Sequence, residues 1–197
     1  MMAEKTTHEA SIHPEALVDP EATLRGAITV GAGSRVMAGA RLIAEPGGRI
    51  EIGENVIVME NAVVRATRLQ SCSIGSHSLI GPNAHVVGAT IEEEVFVATG
   101  AAIFHGARLE AKSVVRVHGI VHLRSRLKGG TFVPIGWVAV GDPAQMFPPD
   151  RHDEIWAIQK ELDFFGFAHG VDRTAPDLMR QVTAKLSERL APALPAS

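Results

Sequence analysis

The chain has 197 residues, a formal net charge of -3 and no block of basic residues, which argues against a nucleic-acid or anionic-membrane partner. Its single cysteine, Cys72, excludes an intrachain disulfide, so a reducing cytoplasm is the predicted compartment. The length fits one domain, or a domain with an appendage, and no stretch has the apolar length of a membrane span or the character of a signal peptide.

An aliphatic residue recurs at nearly every sixth position between residues 12 and 141. This period fits neither a helix nor an alternating strand, and it indicates a repeat architecture. Three hexads make one triangular turn with an anchor pointing inward from each side, and the turns stack about 4.8 Å apart. Two columns of stacked anchors are predicted: Leu24, Leu42, Val64, Val86, Ile103 and Val121 in one, and Val18, Val36, Val58, Ile80, Val97 and Val115 in the next.

The repeat is predicted to end just before Pro148 and Pro149, because two prolines cannot continue a parallel ladder. The predicted parts are a flexible N-terminus at 1–11, the repeat at 12–147 and C-terminal helices at 148–197.

Two helices are predicted in the C-terminal part. The side chain of Asp150 is expected to cap the first, and Gly166 and Gly170 are expected to end it. The second is expected after Pro176. Apolar residues recur at helical spacing in both: Ile155, Ile158, Leu162 and Phe165 in the first, and Leu178, Val182, Leu186 and Leu190 in the second. We expect both apolar stripes to pack against the triangular stack of turns, called the prism below, or against a neighbouring subunit.

Four segments resemble the γ-class carbonic anhydrases. Residues 80–91, Ile-Gly-Pro-Asn-Ala-His-Val-Val-Gly-Ala-Thr-Ile, are similar to the family's V-G-H-x-x-x-L-H-G-C-T-I, including a hexad that is one residue short. Residues 13–18, 97–103 and 138–144 resemble its opening, its V-G-M-G-A stretch and its terminal G-x-P-A-K turn. Hexapeptide acyltransferases share the hexads and the G-x-P-A ending. The resemblance implies an all-β, left-handed parallel β-helix of hexapeptide repeats with a C-terminal α-helical tail, assembled as a homotrimer with sites at the subunit seams.

The zinc chemistry of that family needs three neutral imidazoles and an open position for water. The resemblance places those imidazole positions on Arg65, Pro82 and Val87. A guanidinium is a permanent cation, and the other two side chains have no donor atom. The resemblance therefore implies a protein without the usual zinc site that is not an efficient CO2 hydratase, and neither a metal nor another cofactor is assigned.

Arg65, Glu45 and Glu60 fall at positions that line the inter-subunit cleft in the resembled family. The functional interpretation is a site where Arg65 and Glu45 bind a small anion, such as bicarbonate or a carboxylate substrate. Glu60 adds a second acid, and two nearby carboxylates can divide the acid and base roles. The alternative is a structural Arg–Glu pair at a trimer seam.

His85 and His105 are the histidines expected to take part if the protein is catalytic, as bases or as ligands of a displaced metal. His77, His118 and His122 are interpreted as surface or corner histidines. Two alternative functions stay open: a CoA-dependent acyltransferase or thioesterase that uses His85 or His105, and a non-catalytic assembly subunit whose helical tail docks a partner.

Overall fold

The computed structural model describes residues 10–190, so almost all of the predicted flexible N-terminus lies outside the described residues. The strands are β1 (Ser11–Ile12), β2 (Leu17–Val18), β3 (Thr23–Arg25), β4 (Ala27–Val30), β5 (Arg35–Val36), β6 (Arg41–Ala44), β7 (Arg49–Ile52), β8 (Ile57–Val58), β9 (Val63–Ala66), β10 (Cys72–Ile74), β11 (Leu79–Ile80), β12 (His85–Val87), β13 (Thr90–Ile91), β14 (Phe96–Val97), β15 (Ala102–Ile103), β16 (Arg108–Leu109), β17 (Val114–Val115), β18 (Ile120–Val121), β19 (Arg126–Leu127), β20 (Phe132–Val133), β21 (Val138–Val140) and β22 (Gln145–Phe147). The helices are α1 (His152–Gln159), a 3₁₀ turn (Lys160–Leu162), α2 (Phe164–His169) and α3 (Leu178–Leu190).

The strands form three sheets, and successive strands of the chain enter them in turn. Sheet 1 has the order β1-β4-β7-β10-β13-β16-β19, and sheet 2 has the order β2-β5-β8-β11-β14-β17-β20. Sheet 3 has the order β22-β21-β18-β15-β12-β9-β6-β3, in which β22 is antiparallel to β21 and the other pairs are parallel. The chain is therefore a parallel β-helix of hexapeptide repeats with a few helices, as predicted. Left-handedness stays a prediction from the family resemblance.

The predicted stacking of the anchors is confirmed in both columns. In sheet 3, Leu24 pairs with Leu42, and the register continues through Val64 and Val86. In sheet 2, Val18 pairs with Val36 in the same manner. Most of these anchors are fully buried because each inward side chain contacts the anchors of the turns above and below. The register matters for function, because a slip of one residue would move every outward side chain to the inside.

The C-terminal segment differs in part from the prediction. The side-chain cap predicted at Asp150 is wrong: α1 begins at His152, and its N-cap, Arg151, makes no side-chain capping bond. The backbone N–H of Arg151 donates to the carbonyl of Pro148, so residues 148–151 form a turn and the helix begins only after it. The predicted helix is also split. Asp163 adopts a left-handed conformation, with φ of 42°, and its carboxylate accepts a hydrogen bond from Gly166, which lies inside α2.

The helices lie on the outer face of sheet 3. Ile155 of α1 is buried in a cluster with Val138 and Val140 of β21. The helix α3 follows Pro176 as predicted and reaches back to the end of β6, where Arg189 contacts Glu45. Among residues 10–190, no helix combines the length and the apolar character that a membrane crossing requires.

Candidate functional site

A buried carboxylate between two guanidinium groups lies between sheet 3 and α3. Glu45 is only 2% exposed, and its Oε1 accepts a hydrogen bond from Nη2 of Arg65 at 3.2 Å. Its Oε2 lies 2.9 Å from Nε of Arg189, an ion-pair distance at an angle outside hydrogen-bond geometry. The side chains of Arg65 and Arg189 are 29% and 24% exposed. Two cations on one anion leave this cluster with one excess positive charge.

The local sequence explains why these groups meet. Glu45 follows β6 directly, and its N–H donates to the carbonyl of Ala66 on the next turn. The turn after Glu45 is closed by a hydrogen bond from the N–H of Gly48 to the Glu45 carbonyl. Arg65 pairs with Ile43 in the sheet and follows the inward anchor Val64, so its side chain points outward. The carboxylate and the guanidinium therefore lie on neighbouring turns of the same outer face.

Three histidines surround this cluster, and burial lowers the pKa of each. The pKa of His85 falls because of burial and the nearby charge of Arg65. Burial, followed by the charges of His169, Arg189, His85 and Arg65, lowers the pKa of His105 to about 4. Burial and Arg189 lower the pKa of His169, and Glu45 partly opposes this. All three imidazoles are therefore neutral at pH 7, and they can exchange hydrogen bonds without adding charge.

The helical segment contributes two members of this cluster that the sequence analysis did not single out. His169 is the last residue of α2, and Arg189 lies near the end of α3. Arg189 is also linked to α2, since its Nη1 donates to the carbonyl of Ala168 at 3.5 Å. In the sequence, Arg189 is marked only by its position next to Leu190 of the apolar stripe. That position does not predict which strand of the prism Arg189 contacts.

Glu60 stands apart from the other predicted site residues within one chain. It lies in the turn from β8 to β9, at the corner between sheets 2 and 3, where its carbonyl accepts a hydrogen bond from the N–H of Asn83. Its carboxylate has no hydrogen bond or ion pair with any other residue in the range 10–190. A single chain therefore brings together Glu45, Arg65, His85 and His105, but not Glu60.

Three further histidines of the β-helix lie outside this cluster, and two of them, His77 and His118, occupy corners. His77 and His118 are exposed and have left-handed backbones, with φ of 60° and 55°. His122 is half-buried, its ring centroid is 6.0 Å from that of Phe104, and burial lowers its pKa. Its Nδ1 is buried and has no hydrogen-bond partner among the described residues.

Within one chain, the three positions that the resemblance assigns to zinc ligands carry no side chain that binds zinc. At the three positions assigned to its ligands, the side chains are the guanidinium of Arg65, the ring of Pro82 and the isopropyl group of Val87. The guanidinium is already engaged by Glu45. In the part of the chain that the structure describes, no three His, Cys, Asp or Glu side chains are grouped so that they could hold a metal ion.

The lowered pKa of His105 predicts a loss of stability in acid. Between pH 6.5 and about 4 the unfolded chain binds a proton on this imidazole and the folded chain does not. The contribution of His105 to stability is therefore fully present above pH 6.5 and is lost as the pH decreases toward about 4. We expect His105→Asn to lose less stability than the unsubstituted protein between pH 7 and pH 4.5. Urea denaturation midpoints at the two pH values test this, with the exposed His152→Asn as the matched control. Equal acid losses in H105N and the unsubstituted protein would contradict it.

The sequence comparisons point to one group of proteins. No model of a known protein family matches the chain. The chain is 29% identical over 106 residues to γ carbonic anhydrase 1, mitochondrial, of Arabidopsis thaliana. The aligned residues cover 52% of this chain and 36% of that protein. It is 33% identical over 82 residues to γ carbonic anhydrase 2, mitochondrial, of the same plant, or 42% of this chain and 27% of that protein. The match thus spans well under half the length of either relative.

A solved structure with a similar chain path is a hexapeptide transferase family protein from Anaplasma phagocytophilum. It is 18% identical, the match covers 90% of this chain and 92% of that one, and the TM-score is 0.38.

Proposed function

Since this chain is a γ-carbonic-anhydrase-like hexapeptide-repeat protein, we propose that it forms a homotrimer, lacks the family's three-imidazole zinc site and binds a small anion at a subunit seam. The anion is bicarbonate or the carboxylate of a substrate. Efficient CO2 hydration is not part of this proposal, because the positions assigned to the zinc ligands carry no zinc-binding atom.

The observation that carries the proposal is the pair of guanidinium groups on one buried carboxylate. Glu45 neutralises one positive charge and fixes Arg65 in place, while about a third of the Arg65 side chain stays exposed, at 29%. A guanidinium held in this way can form charge-assisted hydrogen bonds to a carboxylate or bicarbonate. Neutral His85, whose pKa is lowered by burial and by the charge of Arg65, can add a hydrogen bond to the same anion.

An apolar column on the outer face of sheet 2 supports the assembly. From Ile57 to Phe132 the residues that precede the inward anchors there are apolar, and Ile57, Phe96 and Phe132 are 36%, 42% and 62% exposed. A contiguous apolar surface of this kind is typical of a protein interface. The column borders the corner that carries Glu60 and Pro82. We expect a neighbouring subunit's copy of this corner to bring its Glu60 carboxylate to the Arg65 site.

The proposed roles follow from charge and basicity. Arg65 binds the anion, Glu45 positions Arg65, and Glu60 and His85 are the groups that would move a proton if a reaction follows binding. His105 has a pKa of about 4, so it is a weak base at pH 7 and acts as a neutral hydrogen-bonding group. No contact among the described residues specifically favours CoA chemistry or a purely structural assembly role.

Anion binding is tested by calorimetric titration of bicarbonate and acetate into the purified protein. We expect Arg65→Gln to weaken binding at least tenfold, since a hydrogen bond to a charged group contributes about 1.5–3 kcal/mol. Arg49→Gln is the matched control, because Arg49 is an exposed arginine on sheet 1 that pairs with Glu51. Equal weakening in both variants, or none in R65Q, would contradict the proposal.

Zinc and assembly are tested on the same preparation. We expect no stoichiometric zinc by elemental analysis, no fast CO2 hydration, and a trimeric mass by light scattering. One zinc ion per chain together with fast hydration would refute the proposal for the site, and a monomeric mass would refute the seam.

A further inference from the structure

A cavity separate from the Arg65 cluster lies between the last turns of the β-helix and the helices α1 and α2. Its volume is about 500 Å³, which is within the range of small-molecule sites. The prism contributes Phe104 and His122, and α1 and α2 contribute Trp156, Phe164 and Phe165. Trp156 is 51% exposed and Phe164 is 37% exposed, so large apolar rings border this cavity without being covered by the chain.

The polar groups of this cavity favour a ligand with a single negative charge. Lys160 and Arg173 line it, and Asp163 is the one acidic residue among the lining residues. The Asp163 carboxylate accepts the N–H of Gly166 at the start of α2, so it is partly engaged. Two cations and one engaged carboxylate leave one excess positive charge beside the aromatic rings.

The imidazole of His122 lines the cavity and offers a ligand a further polar contact. Burial lowers its pKa, so it is neutral at pH 7 and carries one N–H donor and one acceptor nitrogen. Its Nδ1 is buried without a hydrogen-bond partner in the described chain. Because solvent does not reach Nδ1, Nε2 is the ring nitrogen that can exchange a hydrogen bond with a ligand in the cavity.

We propose that this cavity binds a small aromatic carboxylic acid in its ionised form. The planar body of the acid packs against Trp156 and Phe164, and the carboxylate lies near Lys160, Arg173 and His122. Planar rings suit these walls because offset and edge-to-face aromatic contacts contribute about 0.5–1.5 kcal/mol each. The cavity is distinct from the Arg65 site, although Phe164 borders both, since its ring centroid is 6.3 Å from that of His105.

The experiment uses 2-naphthoate as the probe, its neutral counterpart 2-naphthamide, and acetate, each titrated calorimetrically into the full chain. We expect 2-naphthoate to bind in a 1:1 ratio at least tenfold more tightly than the amide, and acetate not to compete at this cavity. Arg173→Met should reduce the preference for the acid over the amide, and Trp156→Ala should weaken both aromatic probes. Arg49→Met is the matched control, because Arg49 is an exposed arginine on sheet 1 that does not line this cavity.

The possible results either support or overturn the proposal. Equal affinities for acid and amide, or binding unchanged by W156A, would overturn it. A drop in oligomeric mass caused by W156A, without 2-naphthoate binding to the unsubstituted protein, would show that a second copy of the chain covers these rings and would also overturn it. Bicarbonate binding in W156A reports on the Arg65 site independently, so failure of one site does not imply failure of the other.

Discussion

Replacing Glu45 with glutamine is expected to lower the free energy of unfolding by about 3 kcal/mol, the usual cost of removing one partner from a buried ion pair. The carboxylate is 2% exposed and contacts two guanidinium groups, so its loss leaves Arg65 and Arg189 facing each other with no anion between them. Chemical denaturation monitored by circular dichroism measures the change.

Two further variants make this prediction specific. Glu51→Gln removes an exposed carboxylate that lies 3.7 Å from Arg49, and it should cost less than about 1 kcal/mol. Adding Arg189→Leu to Glu45→Gln should recover part of the loss, because it removes one of the two uncompensated cations. A double variant as unstable as the sum of its single variants would show that the two side chains act independently.

Truncating an anchor in the middle of the prism is expected to cost about 3–4 kcal/mol, whereas the same truncation at its end should cost less than about 1 kcal/mol. Ile74 and Ile12 occupy the same column of sheet 1, but Ile74 is 2% exposed and Ile12 is 43% exposed. Ile74→Ala opens a cavity between two turns that are fixed by strand pairing, so the neighbouring anchors cannot close it.

The measurement is the denaturation midpoint of I74A and of I12A relative to the unsubstituted protein. If the two variants shifted the midpoint equally, the columns would not act as a continuous core, and the stability would have to come from the helices or from neighbouring subunits.

The sequence predicted the prism well, for a physical reason. Each hexad anchor must point inward, and a shift of one residue would place Val86 outside and His85 inside. The strand pairing of Val64, Val86 and Ile103 therefore follows from the sequence spacing alone. For the same reason the outward position of Arg65 could be predicted, and with it one half of the contact to Glu45.

The helical part could be predicted only as far as its apolar stripes. A stripe indicates that a helix packs against something, but not along which face or in which direction. The contact of Arg189 with Glu45 depends on α3 returning along sheet 3, and the split at Asp163 depends on a left-handed residue that the helical spacing of Ile158, Leu162 and Phe165 does not reveal.

The antiparallel strand β22 limits how far the stack of turns can extend. It hydrogen-bonds to β21 and so uses the last row of amide and carbonyl groups of sheet 3. An open parallel edge would let another molecule add its own turn and begin an end-to-end fibre. Because β22 runs in the opposite direction, the first turn of a second molecule cannot continue sheet 3 in parallel register, which opposes fibre growth from this end of the prism.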